Sequence, residues 1–103
     1  MTDAHVSVTH NEQSGQYEIV VDGAVAGFSS VLESDTHIAF THTEVDDAYQ
    51  RQGLASRLAA ESLADAASRG KTIIPLCPYI AKYLERHEIE GAAIQWPNTD
   101  RPS

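Results

Sequence analysis

The hydrophobic pattern of this chain changes its period once, near residue 50, and that change limits the possible folds more than any other feature. Before it, four segments alternate apolar and polar residues, which is the two-residue period of half-buried strands. Turn residues separate the segments, and the Asp22-Gly23 pair is typical of a two-residue hairpin loop. The pattern therefore predicts a four-stranded antiparallel meander, with strands over residues 5–10, 16–21, 24–32 and 36–45.

After the change, the apolar residues follow helical spacing. Leucine and alanine recur every three or four residues from Arg51 to Arg69, and Gly70 is a typical residue after a helix end. Residues 72–76 form an apolar run typical of a buried strand, and a strand reached through a helix runs parallel to its predecessor. Pro78 suits the first turn of a second helix that ends near His87. The predicted fold class is therefore α+β, with a crossover helix, a fifth strand parallel to the fourth, and a second helix.

The 103 residues are enough for one small domain with a single core. We expect that core over residues 5–88 and a C-terminal tail over 89–103, which Trp96 docks onto the body of the domain. No apolar run reaches the length of a membrane span, and the N-terminus lacks the pattern of a signal peptide. Cys77 is the single cysteine, so no internal disulfide can form. We expect a cytoplasmic monomer that does not bind membranes.

The net charge of -8 argues against non-specific binding to nucleic acids or to anionic membranes. The charge is uneven, because six of the seven lysines and arginines lie between residues 51 and 86. A solvated helix face would explain this clustering. The alternative is a local anion-binding site in an otherwise acidic protein.

Gly53 stands where the loop after the fourth strand becomes the first helix. Glycine in a helix costs stability that alanine would not, so its presence there needs a reason. A helix start presents free N–H groups and the positive end of the helix dipole, and a glycine lets a phosphate approach the backbone closely. The alternative is that Gly53 only permits tight packing between strand and helix.

Three motifs resemble those of the GNAT superfamily of N-acetyltransferases. The segment QRQGLA, residues 50–55, is similar to the pyrophosphate-binding loop of these enzymes. The segments HTEV, residues 42–45, and PLCPY, residues 75–79, are similar to those of small single-domain members. The resemblance covers residues 16–87. It implies a minimal GNAT fold that binds acetyl-coenzyme A and transfers the acetyl group to an amine, either a small molecule or a lysine side chain.

The same resemblance implies which residues contact coenzyme A. The loop would bind the pyrophosphate mainly through backbone N–H groups, and basic residues of the second helix would meet phosphates or be solvated. The candidate coenzyme A-binding residues are Val45, Gln50, Arg51, Gln52, Gly53, Leu54, Ala55, Cys77, Lys82, Tyr83 and Arg86.

Four residues are candidates for catalysis, and two of them lie on the predicted fourth strand. His42 and Glu44 are separated by one residue, so an unbroken strand would point both to the face that carries Ile38 and Phe40. Histidine side chains change charge near neutral pH, so His42 would act as a general base, which Glu44 would orient or replace. The alternative is that the pair caps the sheet or hydrogen-bonds to backbone.

The other two candidates are Cys77 and Tyr79, at the start of the second helix. Cys77 precedes Pro78 and is a candidate N-cap, where the positive helix end favours a thiolate. It would line the thioester pocket, carry the acetyl group as a nucleophile, or fill the core as a small apolar residue. Tyr79 or Tyr83 would protonate the leaving thiolate, as a tyrosine does in many GNAT enzymes, or would only pack on the sheet.

Functions other than acetyl transfer have less support in the sequence. The five histidines and Cys77 have no paired ligand spacing, so we expect no metal site. A cysteine hydrolase would combine Cys77 with His42 or His87, but no local signature supports one. The chain lacks the helices that full-length GNAT enzymes insert after their first strand. A coenzyme A-binding module without catalysis, or a protein-interaction domain that has kept the fold, is therefore the alternative.

Overall fold

The computed structural model describes residues 5–46 and 53–97, which form one six-stranded sheet and two helices. The strands are arranged in chain order, with the first four antiparallel and the last two parallel to the fourth. The α+β class, the meander and the parallel fifth strand are confirmed. The elements are β1 Val6–Asn11, β2 Gln16–Val21, β3 Ala24–Glu33, β4 His37–Val45, α1 Leu54–Ser68, β5 Thr72–Pro75, α2 Pro78–Arg86 and β6 Ala93–Ile94.

The C-terminal tail differs from the prediction, because it adds a strand. Ala93 and Ile94 pair with β5, and the backbone N–H of Gln95 donates to the carbonyl of Ile73 at 2.8 Å. Ile89, Ala92 and Ile94 pack against the core, whereas Trp96 is 44% exposed. The expectation that Trp96 docks the tail is therefore wrong, and smaller apolar residues and strand pairing dock it instead.

Both helices cover the same face of the sheet. The chain moves in one direction across the sheet from β4 to β5 to β6, and right-handed crossovers then place both connecting helices on one side. The core forms there, between strand residues such as Phe40 and Ile73 and helix residues such as Leu58, Leu63 and Ile80. Neither described helix is long and apolar enough to cross a membrane.

A β-bulge in β4 changes which side chains face the helices. Ser30 pairs with His42, but the next residue of β3 pairs with Phe40, so Thr41 is an extra residue in β4. One extra residue reverses the alternation of the strand beyond it. Thr43 and Val45 therefore share the helix-covered face with Ile38 and Phe40, while His42 and Glu44 are exposed on the other side. The prediction that His42 and Glu44 lie on the face of Ile38 and Phe40 is wrong for this reason.

Candidate functional site

The strands β4 and β5 separate at the point where the bulge occurs. Their pairing ends at Phe40 and Pro75, and a last link follows in which the N–H of Cys77 donates to the carbonyl of Phe40 at 2.7 Å. From there the chain turns into α2, while β4 continues to Val45. Within the described ranges, no strand pairs with this last part of β4 on its β5 side. An opening therefore lies between the end of β4 and the start of α2.

A chain of three polar side chains lies at this opening. The thiol of Cys77 donates to Thr43 Oγ1 at 3.4 Å, and Thr43 Oγ1 lies 2.8 Å from Ser29 Oγ. Cys77 is the N-cap of α2, as predicted, but its sulfur bonds to Thr43 and does not cap the helix. Ser29 is fully buried and Cys77 is 4% exposed. Sequence reasoning assigned no role to Ser29 or Thr43, because only the bulge turns Thr43 towards Cys77 and the Ser29 hydroxyl.

A groove of about 230 Å³ lies between the start of α1 and the outer side of α2. Tyr79, Tyr83, Lys82 and Arg86 all line it, so the candidate acids and the basic residues of α2 lie in one place. Neither Lys82 nor Arg86 makes an ion pair with any residue in the described parts of the chain. The remaining lining residues are Ser56 and His87. The groove thus has two uncompensated positive charges beside a helix start.

The tyrosines of the groove differ in their surroundings. Partial burial raises the pKa of Tyr79, the nearby Tyr83 raises it further, and a hydrogen bond with Ser56 opposes both effects. The Tyr79 hydroxyl therefore keeps its proton at neutral pH. The ring of Tyr83 stacks on the ring of His87, with centroids 4.2 Å apart and planes 24° apart. Tyr79 is 37% exposed and keeps its proton, so a ligand in the groove can reach a hydroxyl that is able to donate one.

Gly53 is the N-cap of α1, and its backbone is left-handed, with φ 70° and ψ 19°. A Cβ added to Gly53 would meet no heavy atom of the described residues within 4 Å, so tight packing against them does not explain the glycine. The left-handed backbone explains it, because side chains with a Cβ rarely adopt it. Among the described residues, no side chain caps this helix start.

The residues that follow Gly53 in the predicted loop can face a ligand mainly through their backbone groups. The side chain of Leu54 is buried in the core, so only its backbone can face a ligand. Ala55 is half-buried in the first turn. Gln50, Arg51 and Gln52 lie outside the described residues, and their predicted roles stay predictions.

Most of the other basic side chains already have partners. Arg57 pairs with Glu61 at 2.7 Å, and both Arg69 and Lys71 pair with Glu33 near the other end of α1. The five described members of the basic cluster are therefore divided between structural ion pairs and the two cations of the groove. A larger groove, about 610 Å³, lies beyond α2, but its charged lining includes Glu88 and Glu90, which suits phosphate poorly.

His42 and Glu44 form their own pair on the side of the sheet without helices. His42 Nε2 lies 3.2 Å from Glu44 Oε1, and both side chains are more than half exposed. The His42 ring lies 6.0 Å from the ring of Phe28. The four catalytic candidates are therefore split, with Cys77 and Tyr79 on the helix side of the sheet and His42 and Glu44 on the opposite side.

Comparison with known proteins identifies one family. A family model described as GCN5-related N-acetyl-transferase matches residues 16–93, from the start of β2 into β6. No curated protein matches the chain significantly. The match confirms the resemblance that the three motifs indicated.

Proposed function

We propose, because the chain belongs to the GCN5-related N-acetyltransferase family, that it binds acetyl-coenzyme A and transfers the acetyl group to an amine. The observation that carries the proposal is the start of α1 without a side-chain cap, beside a groove with two uncompensated cations. When bound, acetyl-coenzyme A supplies an activated acetyl group as a thioester. The remaining chemistry depends on residues of this chain.

The residues at the start of α1 suit the pyrophosphate of coenzyme A. Backbone N–H groups and the helix dipole favour an anion there, and Gly53 has no side chain to obstruct it. Lys82 and Arg86 add positive charge from the facing helix. We expect Gln50, Arg51 and Gln52 to complete this site.

The opening between β4 and α2 is the proposed place of the reacting group. Thr43 and Cys77 line it, and Val45 lies further along the same face. The hydrogen bond to Thr43 fixes the position of the Cys77 thiol. In our proposal this thiol lines the pocket, and the alternative in which it carries the acetyl group is testable by mutation.

Proton transfer would involve both sides of the sheet. Tyr79 Oη holds a proton that it can give to a leaving thiolate. His42 Nε2 can accept a proton from an amine that approaches on the other side, and Glu44 orients its ring. In this proposal the acid and the base act from opposite sides of the sheet, near the point where β4 and β5 separate.

The exposure of His42 and Glu44 favours a second candidate function, a coenzyme A-binding module without catalysis. Both side chains are open to water, and no described helix encloses them. Such a module would bind coenzyme A and transfer no acetyl group to any amine.

Calorimetric titration with acetyl-coenzyme A tests the binding part of the proposal. Gly53→Glu should abolish binding, because the new carboxylate would occupy and repel the phosphate position. Gly70→Glu is the matched control, since Gly70 has a similar left-handed backbone, φ 76°, and no neighbour within 4 Å of an added Cβ. Equal affinities for the two variants would contradict the proposal.

A second experiment tests catalysis. Wild-type protein, Cys77→Ala, Tyr79→Phe and His42→Gln are incubated with acetyl-coenzyme A and spermidine or a lysine peptide, and products are measured by mass spectrometry. Near-normal turnover by Cys77→Ala would exclude the covalent route. No turnover by the wild type with any amine, together with tight binding, would favour the non-catalytic module.

A further inference from the structure

The sheet has a second face that no described helix covers, which we call the open face. Its side chains alternate with the core residues of each strand. Val20 pairs with Val25, Phe28 lies between Glu18 and Glu44, and Ser30 pairs with His42. None of these side chains belongs to the core. The open face includes Glu18, Val20, Val25, Phe28, Ser30, Leu32, Ala39, His42, Glu44 and Ile74.

The open face carries apolar side chains that have no core to enter. Leu32, Ala39 and Ile74 are direct neighbours across β3, β4 and β5. Leu32 is 70% exposed and its neighbours Ala39 and Ile74 are half-buried, whereas the exposed Val25 lies near the other end of β3. A partly exposed apolar row with polar neighbours suits a surface that contacts a macromolecule.

The charge of the open face indicates what kind of macromolecule fits it. Glu18 and Glu44 lie on it, and none of its residues is a lysine or an arginine. The whole chain carries a net charge of -8. A basic partner is therefore complementary, whereas a symmetric contact with a second copy would bring the same carboxylates together.

The open face also contains the proposed base. Ser30, the strand partner of His42, is two residues from both Phe28 and Leu32 along β3. A partner that docks on the apolar row of Leu32, Ala39 and Ile74 would therefore lie against His42 and Glu44. The nearby groove beside Phe28 and Glu44 has about 190 Å³. The side chains of His42 and Glu44 beside it are both more than half exposed, so they would not enclose a free small amine.

We infer that the acceptor is a lysine side chain on the surface of a basic protein, which docks on the open face and so completes the site. The inference rests on the proposed function. The lysine stem would contact Phe28, and its ammonium group would meet Glu44. Lysine Nζ forms a bond to the acetyl carbon while the carbon–sulfur bond breaks. Of the two protons that Nζ loses, His42 passes one to solvent and the other ends on the coenzyme A thiol.

The test measures acetyl transfer to two kinds of acceptor, lysine-rich folded proteins and the small amine spermidine. We expect kcat/KM per lysine in the proteins to exceed that for spermidine about tenfold or more. Leu32→Arg should raise KM for the protein acceptors about tenfold with little change in kcat, because it removes an apolar contact and repels a basic partner. The control is Ala64→Arg, on the exposed side of α1, which should leave the KM for the protein acceptors unchanged.

Three outcomes would overturn the inference. One is a kcat/KM for spermidine equal to or above that for the proteins, and another is an unchanged KM in Leu32→Arg. The third is a wild-type dimer, measured by light scattering, that Leu32→Arg dissociates. Calorimetry with acetyl-coenzyme A on the same samples separates these results from a failure of the proposed function. If the proposed function is wrong, neither the wild type nor any variant binds acetyl-coenzyme A.

Discussion

Replacing Gly53 by alanine should lower the free energy of unfolding by about 1–2 kcal/mol, the cost of a left-handed backbone for a residue with a Cβ. The backbone of Gly53 has φ 70° and ψ 19°, and an added Cβ would meet no heavy atom within 4 Å among the residues that the structure describes. The loss is therefore conformational and includes no steric clash. For a domain of about 100 residues, each kcal/mol lowers the melting temperature by about 4–8 °C.

Urea denaturation followed by circular dichroism measures this loss. Gly70→Ala is the matched variant, because Gly70 has φ 76° and equally open surroundings. Both variants should lose similar stability, but only Gly53→Ala should also weaken the binding of acetyl-coenzyme A. Full wild-type stability in Gly53→Ala would refute the reasoning, because residue 53 would then have no need of a left-handed backbone.

Three further predictions concern the polar groups around the site and the helix end. Thr43→Val leaves the buried hydroxyl of Ser29 without its partner and should lower the free energy of unfolding by about 1–3 kcal/mol in urea denaturation. The control is the double variant with Ser29→Ala. If its loss of stability equals the sum of the two single losses, the hydrogen bond between the two hydroxyls is not the cause. Burial raises the pKa of Glu33, but the hydrogen bonds and charges of Arg69 and Lys71 lower it more. Glu33 therefore contributes stability above the ordinary glutamate pKa of about 4.3, and this is lost as the pH falls through the folded-state pKa. Glu33→Gln should accordingly have a lower free energy of unfolding than the wild type at pH 7 and an equal one at low pH. A difference that stays constant with pH would show that the ion pairs of Glu33 do not stabilise the fold. Tyr79→Phe should lower kcat about a hundredfold and leave acetyl-coenzyme A affinity unchanged, and an equal kcat would exclude Tyr79 as the acid.

The sequence predicted the elements with strong periodicity and missed the local irregularities. The meander, α1, β5 and α2 were predictable, because alternating and helical spacing persist over enough residues to be distinguished. The strand β6 was not, since the two residues Ala93 and Ile94 are too few to show a period. Their pairing with β5 depends on tertiary contacts of the tail.

The bulge at Thr41 explains the main error at the candidate site. No glycine or proline marks it in the sequence, so the strand rule placed His42 and Glu44 on the wrong face. The same bulge turns Thr43 towards Cys77, a contact that spacing alone could not predict. By contrast, the helical spacing of Tyr79, Lys82, Tyr83 and Arg86 correctly brought these side chains together.

The central claim is that acetyl-coenzyme A binds between the start of α1 and α2. Titrating the ligand into ¹⁵N-labelled protein and following backbone amide shifts by NMR tests it most directly. We expect the largest saturable shifts at Gly53, Ala55, Lys82 and Arg86, and small shifts at residues 88–92 beside the larger acidic groove. Shifts concentrated at residues 88–92, or no saturable shifts at all, would contradict the account.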